Sequence, residues 1–252
     1  MKRAALAIFL SLFAAANPFA EEIDGAAFFK TARESMKFSR DGAQINIKRA
    51  SVVPAKGLCV SVPDEEMLSI AFSNKTSMLA VGPAEFKIEA FIQGSAENSP
   101  DDNLDRESAP SNISLSLKNG RFLFSLAQRL GSSKFTVKFP NAESEIQSGI
   151  AIAETGTNGS RLIPLDGFAR IKPQDSIWEI VKDGVSAVVP AKESDKKIIF
   201  KHVYSRERER FGNFIKTAEQ LRRSVIFKYS PNAGFAAELI LPKAFFAMPI
   251  KH

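Results

Sequence analysis

Hydrophobic and polar residues alternate along most of this 252-residue chain. A period of two puts successive side chains on opposite faces of an extended strand. The alternation begins after Asp41-Gly42: "AQINIKR" alternates, and "SVVPAKGLCVSV" predicts two short strands around Pro54 and Gly57. "MLSIAFSNKTSMLAVG" predicts a hairpin turning at Ser73, Asn74 and Lys75. In "EFKIEAFIQ", Phe86, Ile88, Ala90 and Ile92 share one face. Phe91 breaks that pattern, so both faces are expected to be partly covered. "ISLSLKNGRFLFSLA" carries the sharpest local signal, because Asn119-Gly120 separates Ile113, Leu115 and Leu117 from Phe122, Phe124 and Leu126. Asn-Gly between two alternating runs predicts a type I′ hairpin, since both residues tolerate positive φ. "SSKFTVKFPNAESEIQSGIAIAE" predicts two strands joined at Pro140-Asn141, with Phe135, Val137, Phe139, Ile146, Ile150 and Ile152 as core residues. A bulge or altered register is expected at Ser148-Gly149. "TGTNGS" at 155–160, Asp166-Gly167 and Asp183-Gly184 are further turn signals.

Two segments leave this period. In "GAAFFKTARESMKF", Phe28, Ala32 and Ser35 fall at helical spacing and Asp24 could cap, which predicts a short helix within residues 21–40. "KKIIFKHVY" predicts a strand. "SRERERFGNFIKTAEQLRRS" then places Phe211, Phe214, Ile215, Ala218 and Leu221 on one stripe of a helix, with Ser205 as candidate cap. Its first turn offers the exposed pairs Arg206 with Glu209 and Glu207 with Arg210. "VIFKYSPNAGFAAELILP" predicts a last hairpin around Pro231-Asn232. The expected fold is mainly β: a roll, sandwich or solenoid of short antiparallel strands and hairpins, with one C-terminal amphipathic helix and a final hairpin. The chain divides into a leader (1–20), an N-terminal segment (21–40), a β domain (41–190) and a C-terminal strand-helix-hairpin extension (191–252).

Composition narrows the setting. Lys2 and Arg3 precede the apolar run Ala4 to Ala16, followed by small residues and the acidic "EEIDG". This is the pattern of a secretory signal, with cleavage expected after Ala16 or after Ala20, and it points to the periplasm or the extracellular space. The net charge of +6 becomes +4 once Lys2 and Arg3 leave with the leader. A modest positive charge suits an anionic envelope surface. The basic residues are interspersed with acids where a nucleic-acid binder would cluster them, so nucleic acid is disfavoured. Twenty-one Phe against one Trp and two Tyr favour a dry core over a stacking platform for sugars or bases. Trp178, beside Ile180, is expected in that core. A lone Cys59 excludes an internal disulfide and reads as a small buried strand residue.

Candidate chemistry is sparse. His202 and His252 are the only histidines, so neither a histidine-assisted nucleophile nor a zinc site of three or four ligands has a recognisable ligand set. Asp101, Asn103, Asp105 and Glu107 recur at alternate positions, like the first half of a calcium loop. Arg106 and Asn112 stand where that loop needs Gly and Glu, so a solvated acidic surface loop over 94–112 is the better reading. No catalytic residue, metal or cofactor is expected. Three surfaces are candidates for partner binding. Lys134, Thr136 and Lys138 belong to the Pro-bounded strand 134–139, read as an edge for strand addition. The acidic loop 94–112 is the second. The third is the basic helix face of Arg206, Arg210, Arg222 and Arg223.

The middle of the chain resembles FecR-type domains, the periplasmic β domains of bacterial cell-surface signalling. The likeness lies in "MLSIAFSNKTSMLAVGPAEFKIEAFIQ", "LSLKNGRFLFSLAQRLGSSKFTVKFP" and "AESEIQSGIAIAETGTNGSRLIPLDGFARI", within roughly residues 40–190. It departs at Ile146-Gln147-Ser148-Gly149, where the family shows Ile-Arg-Gly-Thr, and at the turn Ser73–Thr76, which has no glycine. The family's regulators carry a cytoplasmic anti-sigma segment and a membrane span ahead of the β domain, where this chain shows the signal pattern. The resemblance implies a secreted, non-enzymatic β domain that binds a protein or envelope component in signalling or regulation. It supplies no catalytic residues. The rival expectations are a structural or carbohydrate-binding envelope protein and, less favoured, a hydrolase with acids converging in a cleft.

Overall fold

A computed structural model describes residues 22–95, 103–191 and 197–240. The signal pattern, Asp101 and His252 lie outside the described residues. In chain order the strands are β1 (Glu22–Asp24), β2 (Ala26–Phe29), β3 (Lys37–Arg40), β4 (Ala43–Ile45), β5 (Ser51–Pro54), β6 (Leu58–Val62), β7 (Met67–Phe72), β8 (Thr76–Gly94), β9 (Ser111–Leu126), β10 (Lys134–Lys138), β11 (Ala142–Ile146), β12 (Gly149–Gly156), β13 (Gly159–Asp166), β14 (Phe168–Pro173), β15 (Glu179–Lys182), β16 (Val185–Pro190) and β17 (Ile199–His202). Helices α1 (Ser205–Arg210) and α2 (Gly212–Ser224) and the hairpin β18 (Val225–Ser230) and β19 (Gly234–Leu239) follow. The mainly β fold with late helical segments and a final hairpin is as expected.

The pairings form two layers that share β8 and β9. One layer runs β4-β3-β6-β8-β9-β10-β11-β14-β15, with β1 joining β8 beyond β6. The other runs β5-β2-β7-β8-β9-β12-β13-β16-β17. The core between the layers takes Met78, Phe122 and Phe124 from the second layer and Phe86, Ile88, Leu115, Phe135 and Val137 from the first. Alternation then sends Leu79, Leu123, Ile152 and Ile163 to the far face of the second layer, where Phe211, Ala218 and Leu221 cover them. Full burial of a Leu or Phe side chain stabilises by roughly 1.5–3 kcal/mol. The first layer's far face instead carries a lattice of ion pairs: Glu85–Lys118 at 3.0 Å, Glu89–Lys138 at 2.6 Å, Glu143–Lys172 at 3.1 Å and Glu145–Arg170 at 2.6 Å.

Several local expectations change. Asn119-Gly120 closes no hairpin. It lies inside β9, and Asn119 still pairs with Glu85. The hairpin turn lies instead between Gly94 and Ser111. Positive φ at Gly120 (110°) bends β9 where β8 turns at Gly82, so both strands pass from one layer to the other. A Cβ on Gly120 would come within 2.5 Å of the Ala84 Cβ, so only glycine fits that corner. Phe91 breaks the period because the register shifts between Ile88 and Ala90, and this bulge turns Phe91 inward and leaves Ala90 and Ile92 half-buried. Within the segment read as a short helix, the described residues 22–40 hold β1, β2 and β3 and no helix. All four residues of β2 are buried between β5, β7 and both cores, and dense burial on two faces imitates helical spacing.

The turns at Ser73–Lys75 and between β12 and β13 lie where expected. Gly149 has φ of 76°, and the β12–β13 register shifts between Ile150 and Ala151, which is the irregularity expected beside Ser148. Asp166-Gly167 and Asp183-Gly184 carry the chain between layers. The strands that flank each of them pair with other partners. The single predicted helix is two, divided at Phe211. Tyr204 holds the N-cap position without a side-chain bond, and Ser205 lies inside the first turn.

Candidate binding edge

The strand chosen as an edge is an interior strand. β10 pairs in parallel with β9 along Lys134–Lys138 and antiparallel with β11 along Thr136–Lys138. Its backbone is therefore occupied on both sides over Thr136–Lys138. Lys134 and Lys138 are exposed on the charged far face, and Thr136 is half-buried. The Lys138 ammonium donates to Glu89 at 2.6 Å.

The acidic loop and half of the basic helix face bind each other. The Arg222 guanidinium, 5% exposed, donates to the Asp105 carboxylate at 2.8 Å, the Leu104 carbonyl at 2.5 Å and the Ser125 hydroxyl at 3.2 Å. Arg223 reaches the same carboxylate at 3.0 Å. The Arg222 hydrogen bond and both positive charges hold the Asp105 carboxyl below its ordinary value, against the opposing effect of burial. Arg222 and Arg223 thus fasten α2 to residues 103–105. Glu107 turns inward and faces Arg129 at 3.7 Å. Among the described residues no three His, Cys, Asp or Glu side chains gather as a metal site.

At its other end the helical unit is pinned by Arg161, which donates to Glu207 of α1 at 2.6 Å and contacts Glu154 at 3.5 Å. The Arg161 bond lowers the Glu207 carboxyl. Arg208 pairs with Asp183 at 2.6 Å and bonds the Leu165 carbonyl. Glu207 therefore pairs with the sheet, in place of the exposed Glu207–Arg210 pair expected from spacing. Arg206 and Arg210 stay exposed, with no ion pair among the described residues.

Asp105 and Glu207 titrate below their unfolded values of about 3.9 and 4.3, so the stability they contribute is fully present above about pH 5. It is lost as pH falls through the lowered folded values. Amide protection of α2 is expected to fall between pH 6 and pH 3 more than that of Phe122–Phe124. Asp105→Asn should shrink this difference, and hydrogen exchange read at both pH values checks it.

Among the described residues five strands of the layers pair with one strand only: β1, which has three residues, and β4, β5, β15 and β17. β4 has three residues and β5 lies against β19. β15 pairs only with β14, and its Val181 is buried. Among the described residues β17 pairs only with β16, and all four of its residues are exposed, with Ile199 at 44% and Phe200 at 43%. Tyr204 follows at 76%. An edge strand with open backbone groups and exposed apolar side chains is a template for another strand. The local alternation does not reveal this edge, because β16, which closes one side of β17, is the neighbour in sequence and leaves the other side undetermined.

Three other features lie apart from this edge. Trp178 is half-buried on the charged far face, with Arg170 at 4.6 Å and Lys172 at 4.7 Å from its ring centre, so it lies outside the core where it was expected. Cys59 is half-buried on strand β6, one position from the inward Leu58 and Val60, and so faces outward. An open cleft of 710 Å³ lies at the corner of β8 and β9, beside Gly82, Pro83, Gly120 and Arg121. Its charged walls are engaged in the Glu85–Lys118 and Arg121–Glu154 pairs.

Fold and edge together define a two-layer β protein with one helix-covered face, one charged face and an open terminal strand. No family model matches the chain, and no curated protein does. It is similar in structure to two crystal structures, each described as a "putative anti-sigma factor" from Parabacteroides distasonis ATCC 8503. The identities are 12% and 11% and the TM-scores 0.43 and 0.44, over 61% and 60% of this chain. The match spans 63% and 62% of those chains, about three fifths of their length. The likeness is a coarse one of architecture.

Proposed function

We propose that this chain is a non-enzymatic binding module of the bacterial cell envelope that takes up a strand of a protein partner along β17. The observation that carries this reading is that β17 is paired on one side only and exposed along its whole length. Added backbone hydrogen bonds supply affinity in this mode, and alternate side chains supply specificity. The FecR-like segments and the signal pattern at the N-terminus support an envelope setting and a regulatory role. The experiment is a capture from envelope extracts with the full chain and with Phe200→Asp, which adds an inward-pointing charge to the edge. One protein retained by the wild type and by Thr136→Lys, and lost with Phe200→Asp, is the expected result. Equal recovery by Phe200→Asp would refute the edge as the binding site.

One observation favours a second reading, a carbohydrate-binding envelope protein: the sole Trp178 lies on the charged face, where Phe168 and Ile180 are also exposed. Titration with peptidoglycan fragments should then quench its fluorescence. An unchanged spectrum rules that reading out.

A further inference from the structure

From the charges and rings around β17 we infer that the partner segment is extended and alternates apolar with acidic residues. This rests on the strand-addition reading. Register partners share a face, so Phe200, opposite the core residue Ala187, points to the inter-layer side, with His202 beside it. Ile199, opposite Val188, points to the helix side, and so does Lys201. Arg161, the other register partner of Val188, reaches α1 from that same side through Glu207. The two edges of β17 therefore differ in chemistry.

The inter-layer side offers an aromatic ring at the rim of the core. The helix side offers cations: Lys201 on the strand and Arg206 at the start of α1, two residues after Tyr204, both exposed. The other charges of α1 are largely consumed. Glu207 is held by Arg161, with the Arg210 charge also acting on it, and Arg208 is held by Asp183, which leaves Glu209 as the one uncommitted acid of α1 against Lys201 and Arg206 among the described residues. A strand laid beside β17 sends alternate side chains to these two sides. Apolar side chains then meet Phe200, and acidic ones meet the cations. Such charge complementarity governs register and rejects basic segments, since like charges brought together at an interface cost several kcal/mol.

The test uses two labelled ten-residue peptides, one alternating valine and aspartate, the other valine and lysine, followed by fluorescence anisotropy with the full chain. The aspartate peptide is expected to bind roughly tenfold or more tighter than the lysine peptide. Its affinity should weaken several-fold from about 0.05 M to about 0.5 M sodium chloride, because the contacts are exposed. Lys201→Glu with Arg206→Glu should cost roughly tenfold. Phe200→Asp should abolish binding while thermal unfolding stays cooperative. Equal binding of both peptides, lost in Phe200→Asp, would overturn the acidic preference and leave strand addition standing. Binding that survives Phe200→Asp would overturn both. Binding of neither peptide would overturn the acidic preference.

Discussion

Arg129→Met is expected to lower the unfolding free energy by about 3–5 kcal/mol, the usual effect of removing one member of a buried ion pair. The Glu107 side chain is 1% exposed and that of Arg129 5%. The Glu107 carboxylate accepts from the Ser111 hydroxyl at 2.8 Å and from the Leu130 amide at 3.2 Å. Arg129 donates to the Ser111 carbonyl at 3.2 Å and lies over the Phe135 ring at 5.7 Å. Burial lowers the Arg129 pKa, opposed by the Glu107 charge. Methionine matches much of the Arg129 volume but strands Glu107 in a dry site. The double change Glu107→Gln with Arg129→Met removes both charges and should recover part of the loss. Urea unfolding of the single and double variants checks this. A loss below about 1 kcal/mol for Arg129→Met would show the pair to be solvated.

A chain ending at His202 is expected to associate with itself more strongly than the full chain. Such a chain keeps every strand of the two layers and removes α1, α2 and the β18–β19 hairpin. It uncovers Phe28, Ala71, Leu79, Leu123, Ile152, Ile163 and Leu165, a contiguous apolar face. Patches much beyond a few hundred Å² lead soluble chains to associate. Light scattering and dye binding should report association of the truncated chain. Changing Leu79, Leu123 and Ile152 to threonine within it should reverse that association, since the inter-layer core is left intact. A truncated chain that associates no more than the full chain without those changes would show that the helix is no cover.

The second layer's double burial was open to a closer reading of the sequence. "MLAV", "FLF", "IAIA" and "LIPL" are continuous apolar runs, the mark of strands covered on both faces, and each contributes to both cores. Local turn chemistry is legible where neighbours in sequence are also neighbours in space, as at Ser73–Lys75 and Pro140-Asn141. It misleads at Asn119-Gly120, because positive φ serves a bend within a paired strand as well as a hairpin, and only the distant Gly82 decides between them. β10 looks like an edge because its parallel pairing with β9 leaves no local trace. Arg222 and Arg223 look like a basic surface because Asp105, more than a hundred residues earlier, is what neutralises them. None of the candidate surface residues lies on β17, which escaped notice because four exposed residues carry no burial pattern.

Site-specific photo-cross-linking in intact expressing cells tests the central claim most directly. A photoreactive residue is placed in turn at Thr136 and Lys138 on β10, at Ile199, Phe200 and Lys201 on β17, and at Phe168 and Ile180 on the charged face with Trp178. Strand addition along β17 predicts one discrete adduct from the β17 positions and none from β10. Adducts confined to Phe168 and Ile180, with β17 silent, would contradict it.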